Sequence, residues 1–252
     1  MESYASAQEV YVAGLVFSRL AALVMLIPGI GDATVPARVR LAFAFLLTLM
    51  LTPLVSTGMV LPATVSGLAG GVLKEVIIGL MIGTILRLFL SSLAVAGEII
   101  SIQSTLSFAQ TAAPGQGVPS TTIATFLGLL GLVLIMTTDL HHLFLGAIVR
   151  SYTLFPFSRA LPVTDAASLA VQTVASSFKL GVQLAAPVIV FALVLNVATG
   201  LVGRVMPQFQ VFFVATPVLV LFSLSILGLS LGVIGMVWVE HYRDLLTVFG
   251  RR

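Results

Sequence analysis

Long apolar stretches, separated by short polar ones, follow one another along most of this chain. Each approaches or exceeds the about 20 residues with which a helix crosses about 30 Å of hydrocarbon. Their lengths favour helices over a β-barrel, whose strands alternate over segments of about 10 residues. The pattern predicts an all-α integral membrane protein with about six long apolar helices. These lie within Val10–Ile30, Leu41–Leu61, Val76–Ala96, Ile123–Val149, Leu180–Val202 and Val211–Val239.

Prolines and glycines refine this picture. Pro187 and Pro217 each stand inside a long apolar run. Proline removes a backbone hydrogen bond and bends a helix, and such bends are tolerated in membranes where protein or water covers the freed carbonyl groups. Several of the predicted helices are therefore expected to be kinked or hairpin-like. Glycine pairs such as Gly79 and Gly83 predict close packing between helices.

A polar segment at residues 97–120 interrupts the apolar pattern. Between Arg87 and Asp139 the only charged residue is Glu98, and Ser, Thr, Gln and Gly dominate the segment. Plotted as a helix, residues 97–111 place apolar and polar side chains on opposite sides. The proline and two glycines that follow predict a loop.

This polar segment has two interpretations. One is an ordinary interhelical connection with an amphipathic lead-in. The other is a polar helix and loop that line a conduit, which the absence of Lys and Arg favours. The candidate lining residues are Gly97, Glu98, Ser101, Gln103 and Ser104.

Composition narrows the class further. Apolar residues make up 59% of the chain and charged residues 8%, whereas soluble domains carry about 25% charged residues. The absence of cysteine excludes disulfides and thiolate chemistry. A scattered net charge of +3 is too small to indicate a nucleic-acid partner. No soluble domain is visible, so residues 1–252 are interpreted as a single membrane-embedded domain.

Charged residues within the apolar runs are the next candidates for function. Arg19, Arg87 and Asp139 would each cost about 2.5–3.5 kcal/mol at a helix centre. We therefore expect each to have a partner, a wet cavity or a place near the interface. The adjacent Lys74 and Glu75 are interpreted as a pair at the start of a helix.

The stretch Asp139-Leu-His141-His142 suggests a metal site or a proton relay. Adjacent residues on a helix diverge by about 100°, so these side chains are expected to form a polar cluster at a helix turn, without a metal ion. The sequence contains no recognisable Ser/His/Asp arrangement, phosphate loop or pair of carboxylates at catalytic spacing. Neither an enzyme nor a cofactor is expected.

Four stretches resemble the FliR family, the export-gate membrane proteins of bacterial flagellar type III secretion. They are Pro36-Ala-Arg38-Val-Arg40, then Ala96–Gln103 followed by Leu106–Ala109, then Leu195–Gln208, and finally Val211-Phe212 with Pro217. The second is the most distinctive. This chain has Ser104-Thr105 where the family often has a glycine-containing pair, and Ala113 where it often has an acidic residue.

The resemblance implies a FliP-like part at residues 1–179 fused to a FliQ-like part at residues 180–252. It implies one copy of this chain in a narrow helical pore with several FliP-like and FliQ-like subunits. A FlhB-like protein, membrane lipid and unfolded export substrates are the other implied partners, in the flagellar basal body at the bacterial inner membrane.

The resemblance also implies roles for particular residues. The insert around Ser107–Ser120 corresponds to a plug loop that closes the pore at rest. Its residues are Ser107, Phe108, Gln110, Thr111, Pro114, Gly115, Gln116 and Gly117. A second stretch is expected to contact other subunits, with simple helix capping as the alternative for Arg204. Its residues are Asn196, Gly200, Arg204, Pro207 and Gln208.

Other functions stay open. An injectisome homologue would have the same architecture but would carry virulence effectors. A secondary transporter would place Arg19, Arg87, Asp139 or His141 in a coupling site, but the inverted repeat that such transporters use was not found in the sequence. An intramembrane enzyme is the remote third alternative.

Overall fold

The computed structural model describes residues 7–55, 62, 64–107, 120–157, 163–206, 208 and 210–248. The secondary structure of these residues is helical, without strands. The helices are α1 (Ala7–Val24), α2 (Ala37–Val55), α3 (Val65–Gln103), α4 (Thr122–Thr137), α5 (Leu140–Leu154), α6 (Val163–Val205) and α7 (Val211–Val248).

Five of the described helices are long and apolar enough to cross a membrane, or up to six spans if α4 and α5 form one together. The exposed sides of these helices are strongly apolar, as Leu46 on α2, Leu193 on α6 and Leu229 on α7 illustrate. Such surfaces suit contact with lipid or with other membrane helices. The predicted class, an all-α integral membrane protein, is confirmed.

Three helices are longer than the apolar runs predicted. Helices α3, α6 and α7 contain 39, 43 and 38 residues, and a helix of that size measures about 57–65 Å at 1.5 Å per residue. The run Val76–Ala96 is only the middle of α3. The helices also continue through their prolines, Pro53 in α2, Pro187 in α6 and Pro217 in α7.

The predicted single helix over Ile123–Val149 is wrong. Helix α4 ends at Thr137, where Thr138 donates its N–H to the carbonyl oxygen of Leu134 at 3.0 Å. Asp139 follows with a left-handed backbone, φ 58° and ψ 19°, and α5 begins at Leu140. Aspartate tolerates this conformation better than most residues with a side chain. Because both flanking segments are apolar, hydropathy alone did not reveal the break.

The chain divides into two compact units. Unit 1 comprises the described residues within 1–89, 139–174 and 243–252. Helix α1 supplies much of its core through one buried face, and α3 packs against it closely. A side chain at Gly79 would collide with the backbone of Arg19, and one at Gly83 would collide with Leu26. This glycine pair has the predicted packing role.

Unit 2 comprises the described residues within 90–138 and 175–242. Its centre is Trp238, which is fully buried and donates Nε1–H to Ser92 Oγ at 3.1 Å. Tyr242 stacks on the indole with 4.9 Å between ring centroids. Glycines again allow close packing, since a side chain at Gly131 would meet Leu93 and Leu90. Unit 2 contains the described part of the polar segment.

Candidate functional site

The polar residues at the end of α3 lie on a helix that stops earlier than predicted. The helix predicted over residues 97–111 is interrupted, because α3 ends at Gln103 and a turn follows at Ser104-Thr105. Thr105 has a left-handed backbone with φ 63°. Leu106 and Ser107 are helical again. Ser107 is the last described residue before Ser120.

A hydrogen-bonded cluster joins the end of α3 to the start of α4. Glu98 Oε1 accepts the backbone N–H of Thr121 at 2.8 Å, and Ser101 Oγ donates to Thr121 Oγ1 at 2.8 Å. Thr121 is also the N-cap of α4, because its Oγ1 accepts the N–H of Ala124 at 3.3 Å. We call Glu98, Ser101 and Thr121 the Thr121 anchor. A carboxylate that accepts an N–H forms one of the stronger hydrogen bonds.

Close backbone packing supports the Thr121 anchor. A Cβ atom at Gly97 would overlap the backbone of Ala124, so only glycine lets α3 and α4 approach this closely. Ser104 is fully buried and donates to the carbonyl oxygen of Ser101 at 3.2 Å. The anchor therefore fixes both ends of the chain segment between Ser104 and Thr121.

Five candidate lining residues are all described. Gly97, Ser101 and Ser104 are buried within the chain, whereas Glu98 and Gln103 are half-buried. Ser101 and Ser104 thus hold the segment in place through contacts inside this chain. Their role as pore-lining residues stays a prediction, and Glu98 and Gln103 are the two whose side chains solvent reaches.

The turn at Thr105 explains a difference noted in the sequence. A positive φ is easy for glycine and costly for a residue with a Cβ atom. The family often has a glycine-containing pair where this chain has Ser104-Thr105. A left-handed backbone at Thr105 is a conformation that glycine would adopt without strain, and this chain adopts it with threonine.

Most of the predicted plug loop lies outside the described residues. Ser107 is described and half-buried. The residues that fall outside are Phe108, Gln110, Thr111, Pro114, Gly115, Gln116 and Gly117.

The predicted subunit-contact residues lie near the end of α6. Asn196, Gly200 and Arg204 recur every four residues, so they share one side of the helix, and all three are exposed. A Cβ atom at Gly200 would meet nothing within 4 Å. Gln208 is also exposed, whereas Pro207 lies outside the described residues. The position is open to a partner, and the role stays a prediction.

Arg19 has the partner that its position in an apolar run required. It is fully buried, and its Nε donates to Glu75 Oε2 at 2.6 Å. Its Nη1 donates to Ser151 Oγ at 3.2 Å and its Nη2 to the carbonyl oxygen of Phe155 at 2.8 Å. The guanidinium also lies 4.1 Å from the ring centroid of Tyr152. We call these groups the Arg19 network.

The interpretation of Lys74 and Glu75 as a pair at the start of a helix is wrong. Both lie well inside α3, which begins at Val65. Glu75 binds Arg19, and Lys74 Nζ donates to the carbonyl oxygens of Pro156 and Phe157 at 3.1 and 2.8 Å. The sequence signal for the ion pair was an arginine inside one apolar run and a glutamate directly before another.

Asp139, His141 and His142 lie closer together than a continuous helix would place them. One ligand atom from each lies within 4.8 Å of the other two. The expected divergence assumed a continuous helix, and the left-handed Asp139 breaks that helix. Arg87 has a weaker contact, 3.9 Å from Asp32 with both side chains partly exposed.

Helices of this length, apolar on their outer sides and joined by small-residue packing, define a multi-pass membrane protein. Residues 10–245 match the family model described as bacterial export proteins, family 1. The chain belongs to that family, and the resemblance drawn from its residues is confirmed.

Similar curated proteins match this chain over most or all of its length. The chain is 63% identical to "Flagellar biosynthetic protein FliR" of Caulobacter vibrioides over 99% of this chain and 100% of that protein. The proteins of the same name from Pectobacterium carotovorum and Aquifex aeolicus are 30% and 29% identical. Those matches cover 86% and 93% of this chain, and 83% and 91% of the relatives.

Proposed function

We propose that this chain is a pore-forming structural subunit of the flagellar type III protein export gate. In that role it conducts unfolded flagellar substrates across the bacterial inner membrane, within the flagellar basal body. The observation that carries the proposal is the full-length similarity to a protein named for flagellar biosynthesis. Membership of an export family supports the same class of function.

The polar segment supports a pore role. A chain in transit presents every type of side chain, so its conduit should be weakly polar and uncharged, because fixed charges would hold substrates of opposite charge. Residues 99–120, which follow Glu98, have this composition. The Thr121 anchor joins Thr121, just after the proposed plug, to Glu98 and Ser101 on α3 before it, and the part between them is proposed to close the pore at rest.

The export gate requires partners. FliP-like, FliQ-like and FlhB-like subunits are proposed, with residues 1–179 equivalent to the first and residues 180–252 to the second. The apolar exposed sides of α6 and α7 support contacts with other membrane helices. Asn196, Gly200 and Arg204 mark one side of α6 for such a contact.

Mass measurement of the intact complex tests the assembly. The tagged chain is extracted from its host in mild detergent and examined by native mass spectrometry. One copy with multiple copies of two other small membrane proteins is expected. A monomer or homodimer that persists across several mild extraction conditions would contradict the proposal.

A replacement within the segment tests the plug. Residues Gln110–Gly117 are deleted in one strain and replaced by a glycine-serine linker of equal length in a second. We expect both to assemble normally and to make the resting membrane permeable to small ions, with the larger leak in the deletion. A deletion strain as tight as the wild type would contradict the plug role.

Secretion separates the flagellar proposal from its injectisome alternative. A strain that lacks this chain should lose flagellin export and motility, and both should return with the wild-type gene. Loss of effector secretion with normal motility would favour the injectisome. The transporter alternative loses one candidate for its coupling site, because Arg19 is buried and each of its nitrogens binds a group of this chain.

A further inference from the structure

We propose that Asp139, His141 and His142 form a binding site for a divalent transition-metal ion of the zinc type. Each side chain offers one ligand atom, and the three atoms lie within 4.8 Å of one another. The site lies within unit 1, at the start of α5. It does not depend on the proposed export function.

The backbone brings the three side chains together. Asp139 precedes α5 with φ 58°, and its carboxylate makes no side-chain hydrogen bond to cap the helix. It is instead directed towards His142, whose Nδ1 lies 3.6 Å from Asp139 Oδ1. That separation is too long for a hydrogen bond. It is close to the about 3.3 Å that separates two ligand atoms of a tetrahedral zinc ion with bonds of about 2.0 Å.

The two imidazoles lie against each other. Their ring centroids are 4.1 Å apart, with planes inclined by 38°. Nδ1 of His141 is shielded from solvent and has no hydrogen-bond partner among the described residues. A buried ring nitrogen without a partner is unfavourable, and the proposal makes this nitrogen the ligand atom of His141. This nitrogen is the observation that distinguishes the cluster from ordinary exposed polar groups.

The ligand set indicates which ion would bind. Two imidazole nitrogens and one carboxylate oxygen suit zinc and its neighbours, whereas calcium and magnesium prefer oxygen ligands alone. Three protein ligands leave a fourth position for water. The Asp139 and His142 side chains are 77% and 67% exposed, so both can rotate by the small distance that coordination requires. A bound ion would tie the left-handed turn to the first turn of α5.

Metal content of the purified protein tests the site. The full chain is purified with a tag that contains no histidine, stripped with a chelator, loaded with Zn²⁺ and desalted. Elemental analysis should find about one zinc per chain, since the three ligands come from one cluster. We expect His142→Ala to weaken zinc binding by at least about 10-fold, because even outer-shell partners of zinc ligands are worth about 10–100-fold.

Two further variants make the test specific. Asp139→Asn removes the charge but keeps a residue that tolerates the left-handed backbone, so the turn is retained while the affinity falls. His241→Ala is the matched control, because His241 is an exposed histidine on α7 whose Nδ1 lies 2.8 Å from its own helix carbonyl at Val237. It should bind zinc like the wild type. Circular dichroism and gel filtration establish that each variant is folded.

Cobalt gives an independent readout. Co²⁺ in a site with two histidines and a carboxylate absorbs visible light, and these bands should appear in the wild type and in His241→Ala only. Equal zinc content in all four proteins would mean adventitious binding and would overturn the proposal. So would the absence of zinc from both the wild type and His241→Ala.

Discussion

The Arg19 network and the Thr121 anchor both use polar contacts to hold the chain, but at different ranges. Arg19 reaches Glu75, Ser151 and Phe155, at separations of 56, 132 and 136 positions along the chain. The contacts of Thr121 with Glu98 and Ser101 span only 23 and 20 positions. The first set joins α1, α3 and the end of α5, whereas the second closes one local segment.

The two sites also differ in burial, which sets how much each contributes to stability. The side chains of Arg19 and Glu75 are 0% and 1% exposed. Removing one partner of such a pair leaves a charge without compensation in an apolar interior. The Thr121 anchor has a half-buried carboxylate and can exchange its contacts for water at lower cost. We infer that unit 1 depends on its network for folding, and that the anchor can be weakened while the protein stays folded.

The largest expected effect is that of Glu75→Ala, which leaves Arg19 buried without its ion-pair partner. We expect a loss of about 3–5 kcal/mol, measured as a lower thermal unfolding temperature and a reduced amount of protein in membranes. Arg87→Ala is the control, because its contact with Asp32 is 3.9 Å long and exposed, and it should cost no more than about 1 kcal/mol.

A double replacement sharpens this prediction. Arg19→Met with Glu75→Leu removes both charges and keeps apolar volume, so it should recover part of the stability that Glu75→Ala loses. If Glu75→Ala were as mild as Arg87→Ala, the Arg19 network would not be the main support of unit 1.

Gly97→Ala should have the next largest effect. The added Cβ atom overlaps the backbone of Ala124, so α3 and α4 must move apart at the Thr121 anchor, at a cost of about 1–3 kcal/mol. Gly228→Ala is the control, because a Cβ atom there meets nothing within 4 Å. The thermal unfolding temperature and the amount of secreted flagellin should both fall for Gly97→Ala and stay unchanged for Gly228→Ala. Equal behaviour of the two variants would contradict the close approach.

The sequence predicted the class of fold, and it singled out two residues of the Thr121 anchor for a different role, the lining of a pore, which stays a prediction. Apolar runs predicted the membrane helices. The polar composition of residues 97–104 made Glu98 and Ser101 candidate functional residues. Thr121 was missed, although a threonine just before an apolar run is a recognisable N-cap. The polar residues on the two sides of the loop were therefore not connected.

The remaining differences arise from contacts between distant parts of the chain. The predicted helix began after Lys74 and Glu75 because these residues are charged, yet α3 begins ten residues before Glu75, at Val65, and runs through both. Arg19 and two backbone carbonyl groups compensate their charges. The break at Asp139 depends on one left-handed residue between apolar segments. Hydropathy averages over a window and does not detect either feature.

A moderate effect is expected when the anchor loses its carboxylate. Glu98→Ala removes the acceptor of the Thr121 N–H and should cost about 0.5–1.5 kcal/mol locally, because water can replace a half-buried carboxylate, whereas Glu98→Gln keeps an oxygen at the same position and should cost less. With the segment less firmly held, the resting ion leak should rise in the order wild type, Glu98→Gln, Glu98→Ala. If Glu98→Ala left the ion leak unchanged while the protein stayed intact, the Thr121 anchor would not contribute to pore closure.

The smallest effect on stability is expected for a glycine substitution at Thr105. The sign of this change distinguishes the left-handed turn from the right-handed helical position at Gln103. Glycine adopts φ 63° without strain, so Thr105→Gly relieves a conformation that costs a residue with a Cβ atom about 1–2 kcal/mol. Glycine also loses about 0.5–1 kcal/mol through its greater freedom in the unfolded chain, which leaves stability unchanged or slightly raised. Gln103→Gly, at a right-handed helical position, has no such relief and should destabilise. The measurement is the thermal unfolding temperature of each variant. A clearly lower temperature for Thr105→Gly would show that the threonine side chain contributes more to stability than its backbone conformation costs.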